Sequence, residues 1–334
     1  VGSGPYVLKS WVKNTELVLE RNPNYWGPDP APTADRVVFK FVADSNSQMQ
    51  MVQRGDAAVA MNLTPDQLAS LNSPSVSIAK TQALGVMYLG WTASADLDKA
   101  LAIPANWEAI RNALDYKGIV DLARGAGQAA GGIVPAALAG GLSAADAPAE
   151  NLEAAKAALA KAGNPDGFSF TLAYASQTTA AGVPFDPVAQ KIQTDLDRVG
   201  IKVKLQPMLQ VKFYADYRAG KLPAVLHWWL ADYADALNFL PVFVPPGSVA
   251  EVRQHWTKDL ADPKLVEMAA KSLTTQDPQA RATLIQDAQR LLNQSGPYSA
   301  LIDIQRQVAY NNGAISELAT NPAWVVDFAA SRSK

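Results

Sequence analysis

Leu226-His227-Trp228-Trp229-Leu230-Ala231-Asp232-Tyr233-Ala234-Asp235 is the stretch whose reading decides the fold. Its apolar and aromatic first half reads as a strand. The strand runs into two tryptophans and then delivers an aspartate, a tyrosine and a second aspartate into a turn. Apolar walls beside a few convergent polar groups are what a small-molecule cleft needs. An aspartate at the end of a strand can hold a cationic group. Trp228 and Trp229 are adjacent, so on a strand their side chains point to opposite faces: one belongs to core packing and the other faces the cleft. The residues do not say which. Asp235 directly precedes Ala236 and reads as the N-cap of a helix. The alternative pairs Asp232 with Asp235 as glycosidase-like carboxylates, although such pairs normally come from separate elements that straddle the scissile bond.

Upstream of this stretch the chain alternates strands and helices. Tyr6 to Trp11 and Glu16 to Glu20 are β-rich, and Lys13-Asn14 between them predicts a hairpin. Arg21 to Pro28 is a loop dense in Pro, Asn and Gly. Arg36 to Val42 has an apolar surplus and is expected to be a largely buried strand. Asp44 or Ser45 caps a helix ending at Gly55, Ala57 to Met61 is a short strand, and Thr64-Pro65-Asp66 opens the next helix. Leu84 to Trp91 is an extended run. Trp107, Ile110 and Leu114 recur at helical spacing in Pro104 to Tyr116. Gly125 to Gly141, rich in Gly and Ala, reads as a loop too flexible to be core. Leu152, Ala155 and Leu159 line a helix that stops at Gly163. Strand, helix, strand, helix and strand follow at Phe168 to Tyr174, Pro187 to Val199, Ile201 to Leu205, Val211 to Arg218 and Ala224 to Trp229. Two helices are expected next, the second capped by Asp277 with Pro278 in its first turn. Leu301 to Tyr310 is the final strand and Asn321 to Lys334 a tail. This alternation is that of an α/β protein.

Composition narrows the function. At 334 residues the chain exceeds the size at which one core stops growing, so two domains are expected. The formal net charge is -2, and lysines and arginines are scattered, which argues against a nucleic-acid footprint or a polybasic membrane patch. The apolar run Leu237 to Pro246 is too short and too Pro-interrupted to span a bilayer. The absence of cysteine excludes disulfides, thiolate metal sites and cysteine nucleophiles. The chain starts at Val1-Gly2-Ser3-Gly4-Pro5, with neither an initiator methionine nor a signal region, and reads as a processed or truncated product.

Enzyme chemistry finds little support. There is no Gly-x-Ser-x-Gly elbow, P-loop or Gly-x-Gly-x-x-Gly turn after a strand. The two histidines, His227 and His255, have no second histidine at ligand spacing, and a zinc site would need an unusual number of carboxylates. His227 reads as a packed or rim side chain. Trp11, Trp26, Trp107, Trp256 and Trp324 read individually as structural.

Eight pieces carry a resemblance, and they occur in one order along the chain. They are Gly2-Ser3-Gly4-Pro5-Tyr6, Asn22-Pro23-Asn24-Tyr25-Trp26-Gly27, Asp35-Arg36-Val37-Val38-Phe39, Gly55-Asp56-Ala57, Ile110-Arg111-Asn112-Ala113-Leu114-Asp115-Tyr116, the Ala-rich helix from Glu153 to Gly163, and Gln193 to Val203 leading to Trp229-Leu230-Ala231-Asp232-Tyr233. Together they resemble the later, larger part of the dipeptide- and oligopeptide-binding proteins of ABC transporters, family 5 of the extracellular solute-binding proteins. The resemblance implies a type II periplasmic-binding-protein-like α/β fold in which two lobes close on the ligand. It implies one complete lobe plus part of the other, and hence a C-terminal fragment. Lobe I would be residues 1–84 and 310–334 with its N-terminal portion missing, lobe II residues 90–305, and the crossings residues 85–91 and 304–309.

In functional terms the resemblance implies an extracytoplasmic binding component of an ABC importer, in the periplasm or at the cell surface and membrane-associated in its full-length form. It would act as a monomer, partner an ABC permease, take a peptide or similar small solute, and need no cofactor, metal or nucleic acid. Asp232 matches the aspartate that pairs with a peptide's α-amino group. The main chain of Trp228 and Leu230 would extend the ligand strand-wise, with Trp229, Ala231 and Tyr233 in the cleft wall. Two departures stand out. The prolines common after the motif are replaced by Ala234 and Ala236-Leu237, and the position where some oligopeptide binders carry arginine is Leu226. The family also includes binders of nickel chelates, oligosaccharides, haem and opines, and twin tryptophans suit sugar stacking as well as peptide side chains.

Overall fold

Asn14 takes a left-handed backbone (φ 60) and turns β1 (Tyr6–Val12) back onto β2 (Glu16–Arg21), so the hairpin predicted at Lys13-Asn14 forms. β3 (Arg36–Lys40) completes an antiparallel three-stranded sheet in the order β1-β2-β3. This computed structural model describes residues 2–27, 34–176, 178–323 and 325–334; Trp324 and Pro28 lie outside them. Val1–Gln82 with Arg306–Lys334 make one compact unit, and Ala83–Gln305 a second.

In the first unit β3 departs from expectation. It pairs with β2 alone, and Arg36, Val38 and Lys40 point outward together, leaving Val38 41% exposed. The period of two decides this: the apolar surplus consists of adjacent residues, and adjacent residues take opposite faces. Phe39 on the other face packs edge-on against Phe328 at 5.2 Å. Helix α1 (Ser45–Arg54) is capped by Asp44, whose Oδ1 accepts from Ser47 N–H at 2.8 Å, and Gly55 ends it in the left-handed region. After β4 (Val59–Ala60), Thr64 and Gln67 form a reciprocal capping box over α2 (Pro65–Ser70) with Pro65 in its first turn. Val52, Ala60, Leu63, Leu68 and Ala309 form the core of this unit. Trp11 (63% exposed) and Trp26 (80%) have no such packing, contrary to the structural role expected for them.

β5 (Val76–Trp91) carries the chain into the second unit. Helix α3 (Pro104–Ala113) ends one residue before Leu114, and Asp115 caps a separate α4 (Tyr116–Asp121). Next come β6 (Gly127–Ala129), α5 (Leu152–Lys161), β7 (Ser169–Ala175), the short β8 (Thr179–Ala180) and β9 (Val183–Pro184), and α6 (Phe185–Asp197). β10 (Lys202–Met208), α7 (Gln210–Arg218) and β11 (Ala224–Leu230) follow. Four helices then take the place of the two expected: α8 (Leu240–Phe243), α9 (Val249–Arg253), α10 (Pro263–Ser272) and α11 (Pro278–Ser295), the last capped by Asp277. Pro241 sits in the first turn of α8 and the Pro245-Pro246 pair follows its end, so the helix is four residues long and too short to show a helical period. β12 (Tyr298–Asn311) leads back to the first unit, where β13 (Ile315–Glu317), β14 (Thr320–Asn321), β15 (Val325–Val326) and β16 (Arg332–Ser333) replace the expected tail with two short hairpin-like pairs.

The main sheet has the order β10-β7-β11-β5-β12-β4, with β6 on β12. β10, β7 and β11 run parallel, and β11 runs antiparallel to β5. The carboxyl ends of three strands therefore gather at one edge, where α/β proteins place their ligands.

Gly125 to Gly141 is not the flexible loop its composition suggests. Ala126, Ala130, Ile133, Val134 and Leu138 are buried, and β6 pairs with β12. Gln289 of α11 donates to the Gly140 carbonyl at 2.6 Å and accepts from Val134 N–H at 3.0 Å, while Asp303 accepts from Ala136 N–H at 2.9 Å. Small residues here permit close approach: a Cβ on Gly140 would meet Ile285 at 2.8 Å, and its φ is +87. Two buried polar side chains hold what composition alone leaves loose.

Candidate functional site

The run Ala224–Leu230 is rich in aromatic and branched residues, which fit a pleated and largely covered surface. Its register against β5 sets His227 beside Tyr88, Trp229 beside Val86 and Leu230 beside Gly85. One step on, Ala231 N–H donates to the Leu84 carbonyl at 2.7 Å. In an antiparallel ladder alternate residues bond the same neighbour. Ala231 and Trp229 therefore turn their main chain toward β5, and Leu230 and Trp228 turn theirs away. On that other side β7 pairs only with Ala224 and Val225. The amides and carbonyls of Trp228 and Leu230 thus form a strand edge that β7 leaves uncovered.

The side chains divide as the alternation requires. His227 lies on the covered face, packed against Phe213, Tyr217 and Tyr88 with ring centroids 5.2, 4.8 and 6.1 Å away. Burial pushes its pKa down to about 3, helped by Arg253 and Arg218, so it is neutral and takes no part in proton chemistry near neutrality. Trp229 shares this face. Its Nε1–H donates to the Asn238 carbonyl at 2.8 Å, its ring meets Phe243 edge-on at 5.5 Å, and Arg253 lies over it at 5.5 Å. Trp228, half-buried on the opposite face, has no hydrogen bond or ring contact among the described residues. Leu226 is fully buried; a guanidinium there would be stranded in the core.

Beyond the strand, Asn238 organises the turn. Its side-chain oxygen accepts from Asp232 N–H at 3.1 Å, and its amide donates to the Tyr233 carbonyl at 3.2 Å. Its backbone N–H donates to the Asp235 carbonyl at 3.1 Å, and its carbonyl holds Trp229. Four bonds converge on one side chain and peptide that are 6% exposed. Sequence reasoning missed Asn238; an amide six residues after an aspartate carries no signal until the turn is built.

Asp235 takes the capping role. Its Oδ1 accepts from Leu237 N–H at 2.8 Å at the start of a single 3₁₀ turn, Ala236–Asn238. It also forms a two-pronged pair with Arg281, at 2.6 and 3.0 Å, which holds its carboxyl below the usual range. Arg281 Nε–H donates in turn to the Ser272 carbonyl at 3.1 Å. An aspartate engaged on both oxygens is poorly placed to share work with Asp232 as a carboxylate pair. Asp232 itself is exposed, and its carboxylate has no partner among the described residues. Tyr233 is 56% exposed and Ala231 buried. The arrangement is a fixed turn presenting one free carboxylate beside an uncovered strand edge.

The profile of the bacterial extracellular solute-binding proteins, family 5 Middle, matches residues 1–250. The chain belongs to this family. Among curated relatives, the probable D,D-dipeptide-binding periplasmic protein DdpA of Escherichia coli is 29% identical over 322 residues, covering 93% of this chain and 58% of its own. The di/tripeptide-binding protein 3 of Pseudomonas aeruginosa is 25% identical over 308 residues, covering 90% and 56%. The chain therefore spans less than two thirds of the relatives' own length. Among solved structures, HbpA2 from Haemophilus parasuis matches with a TM-score of 0.79 and 25% identity, over 99% of this chain and 64% of that one. The family and this match establish the type II periplasmic-binding-protein-like α/β fold expected from the sequence. No helix among the described residues is long and apolar enough to cross a membrane.

Proposed function

We propose that this chain captures a peptide outside the cytoplasmic membrane for delivery to an ABC permease, acting as a single copy without catalysis. The carrying observation is Asp232, an unpaired carboxylate on a turn fixed by Asn238 at the carboxyl end of β11. Such a group suits the ammonium of a peptide's N-terminus, through a charge-assisted hydrogen bond. The free main chain of Trp228 and Leu230 suits the peptide backbone as an added strand, which tolerates varied side chains. The printed names of the relatives, a D,D-dipeptide and a di/tripeptide binder, support the ligand class. We read Val1–Gln82 with Arg306–Lys334 as lobe I and Ala83–Gln305 as lobe II. In this reading Trp228 and Leu230 of β11, with Asp232 and Tyr233 of the turn that follows, form the ligand side, and Ala231, buried and bonded to Leu84, belongs to the scaffold behind them. Trp229 serves as the packed member of the tryptophan pair, which weakens the case for a sugar platform built from both rings.

Thermal stabilisation by a panel of short peptides and of oligosaccharides tests the reading. Peptides with a free amino group should stabilise the chain and lose most of that effect in Asp232→Asn, while N-acetylated peptides should be weak binders of both. Stabilisation by oligosaccharides alone refutes the peptide assignment. Equal loss of free and acetylated peptides in Asp232→Asn gives Asp232 a structural role instead.

A further inference from the structure

Arg253, the last residue of α9, carries a guanidinium that no carboxylate pairs among the described residues. Its neighbours are ring faces instead. The guanidinium carbon lies 4.4 Å from the ring centre of Tyr217 on α7 and 5.5 Å from that of Trp229 on β11. A cation is drawn to the negative face of an aromatic ring within about 6 Å, and to tryptophan most strongly. Other arginines of this unit are used differently. Arg111 donates to the carbonyls of Gly296 and Gln294 at 2.7 and 2.6 Å, and Arg281 pairs with Asp235. Arg218 also lies over a ring, that of Tyr214 at 5.5 Å, but it is exposed and makes no contact with Trp229 among the described residues.

The two rings that Arg253 touches have different duties. Tyr217 is fixed in the core: it is buried, its hydroxyl bonds that of Tyr88, and its ring stacks on Phe213 at 5.7 Å. The end of α9 is fixed as well. Gln254, next to Arg253, accepts from the Tyr298 hydroxyl at 2.8 Å, and its carbonyl accepts from Ala93 N–H at 2.6 Å. Trp229 is the ring that serves the site. Its indole N–H holds the Asn238 carbonyl at 2.8 Å, and the Asn238 side chain holds Asp232 N–H and the Tyr233 carbonyl. Phe243 meets the indole edge-on. Rotation of the Trp229 side chain would carry its N–H off the carbonyl, and a guanidinium held over the ring resists that rotation.

We propose that Arg253 is a positioning residue of the ligand anchor. It holds the Trp229 ring against the fixed Tyr217, Trp229 holds the Asn238 peptide, and Asn238 sets the turn that presents Asp232. A site residue is held to its geometry by neighbours whose own side chains are locked by packing, and Arg253 is such a neighbour at two removes. A lysine would keep the charge but not the flat surface that the two rings share. The ligand chemistry rests on the peptide reading; the link from Arg253 to Asp232 does not.

The test compares the 15N-labelled chain with Arg253→Met, which keeps the length of the side chain and removes its charge and plane. Two NMR signals are followed without ligand: the Trp229 Nε1–H, identified by its loss in Trp229→Phe, and the backbone amide of Asp232. Both should shift in Arg253→Met, and by less in Arg253→Lys, which serves alone if the first variant fails to fold. Calorimetry with Ala-Ala and N-acetyl-Ala-Ala then reads the consequence. Arg253→Met should weaken Ala-Ala by about threefold to tenfold and the acetylated peptide by less than about twofold. In an Asp232→Asn background the same substitution should cost less than about twofold, because the group it positions is gone. An unmoved Asp232 amide overturns the inference, as does equal weakening of both peptides. Shifts of both signals in a chain whose wild type binds neither peptide keep the positioning role and refute the peptide reading.

Discussion

Replacing Asn238 by alanine would separate the anchor from the scaffold that presents it. The substitution removes the acceptor for Asp232 N–H and the donor to the Tyr233 carbonyl, while the backbone bonds to Trp229 and Asp235 can persist. Two neutral hydrogen bonds contribute about 1 kcal/mol each, and the exposure of Asp232 and Tyr233 lowers that sum, so a stability loss of about 1–2 kcal/mol is expected. Binding loses more than stability does. Asp232 and Tyr233 would be ordered only when ligand arrives, at about 1 kcal/mol or more of backbone entropy per residue. A fall of about tenfold or more in affinity for free-amine peptides follows, which calorimetry can measure on a sample shown to be folded by circular dichroism. The loss should be smaller in an Asp232→Asn background, because the anchor that Asn238 positions is already gone. Wild-type affinity in Asn238→Ala, or full additivity of the two substitutions, would refute the positioning role.

Two further outcomes bear on the fold. His227 titrates near 6.5 when unfolded and is held down to about 3 by burial, so unfolding takes up a proton between those values. Stability is complete above about pH 6.5 and falls as pH drops toward 3, by up to ~1.4 kcal/mol per pH unit from this group. Denaturant midpoints across that window should show a shallower acid slope in His227→Phe. Gly140→Ala should destabilise by about 1–3 kcal/mol, because a Cβ would sit 2.8 Å from Ile285 on a backbone of positive φ. A melting temperature unchanged by that substitution would mean that residues 125–141 are not packed as described.

Local signals in the sequence survived folding where the chemistry is local. Asp44, Thr64 and Asp277 cap the helices they precede because a side-chain oxygen reaches an N–H two or three residues on, whatever the rest of the chain does. The β11 strand and the opposite facing of its tryptophans were legible for the same reason. What was not legible depends on partners far away in the chain. Gly125 to Gly141 joins the core through Gln289 and Asp303, and composition says nothing of hydrogen-bond partners more than a hundred residues distant. β3 looked buried because apolar residues were counted without asking which face each occupied. In the site, Asp232 could be singled out from the motif, but the grip of Asn238 on its turn, the engagement of Asp235 by Arg281, and the packing of Trp229 emerge only once the turn is closed.

The clamp at the end of β11 grips Tyr233 by its carbonyl and leaves its ring largely exposed, and Ala234 beside it is exposed as well. Presentation of the anchor and choice of what lies next to it are therefore separable. Changes at residues 233 and 234 can alter which ligand side chains are accepted without disturbing Asp232. Change at Asn238 or Arg281 disturbs the anchor whatever the ligand. A lineage diversifying its ligands has two positions here at which to experiment at little structural cost.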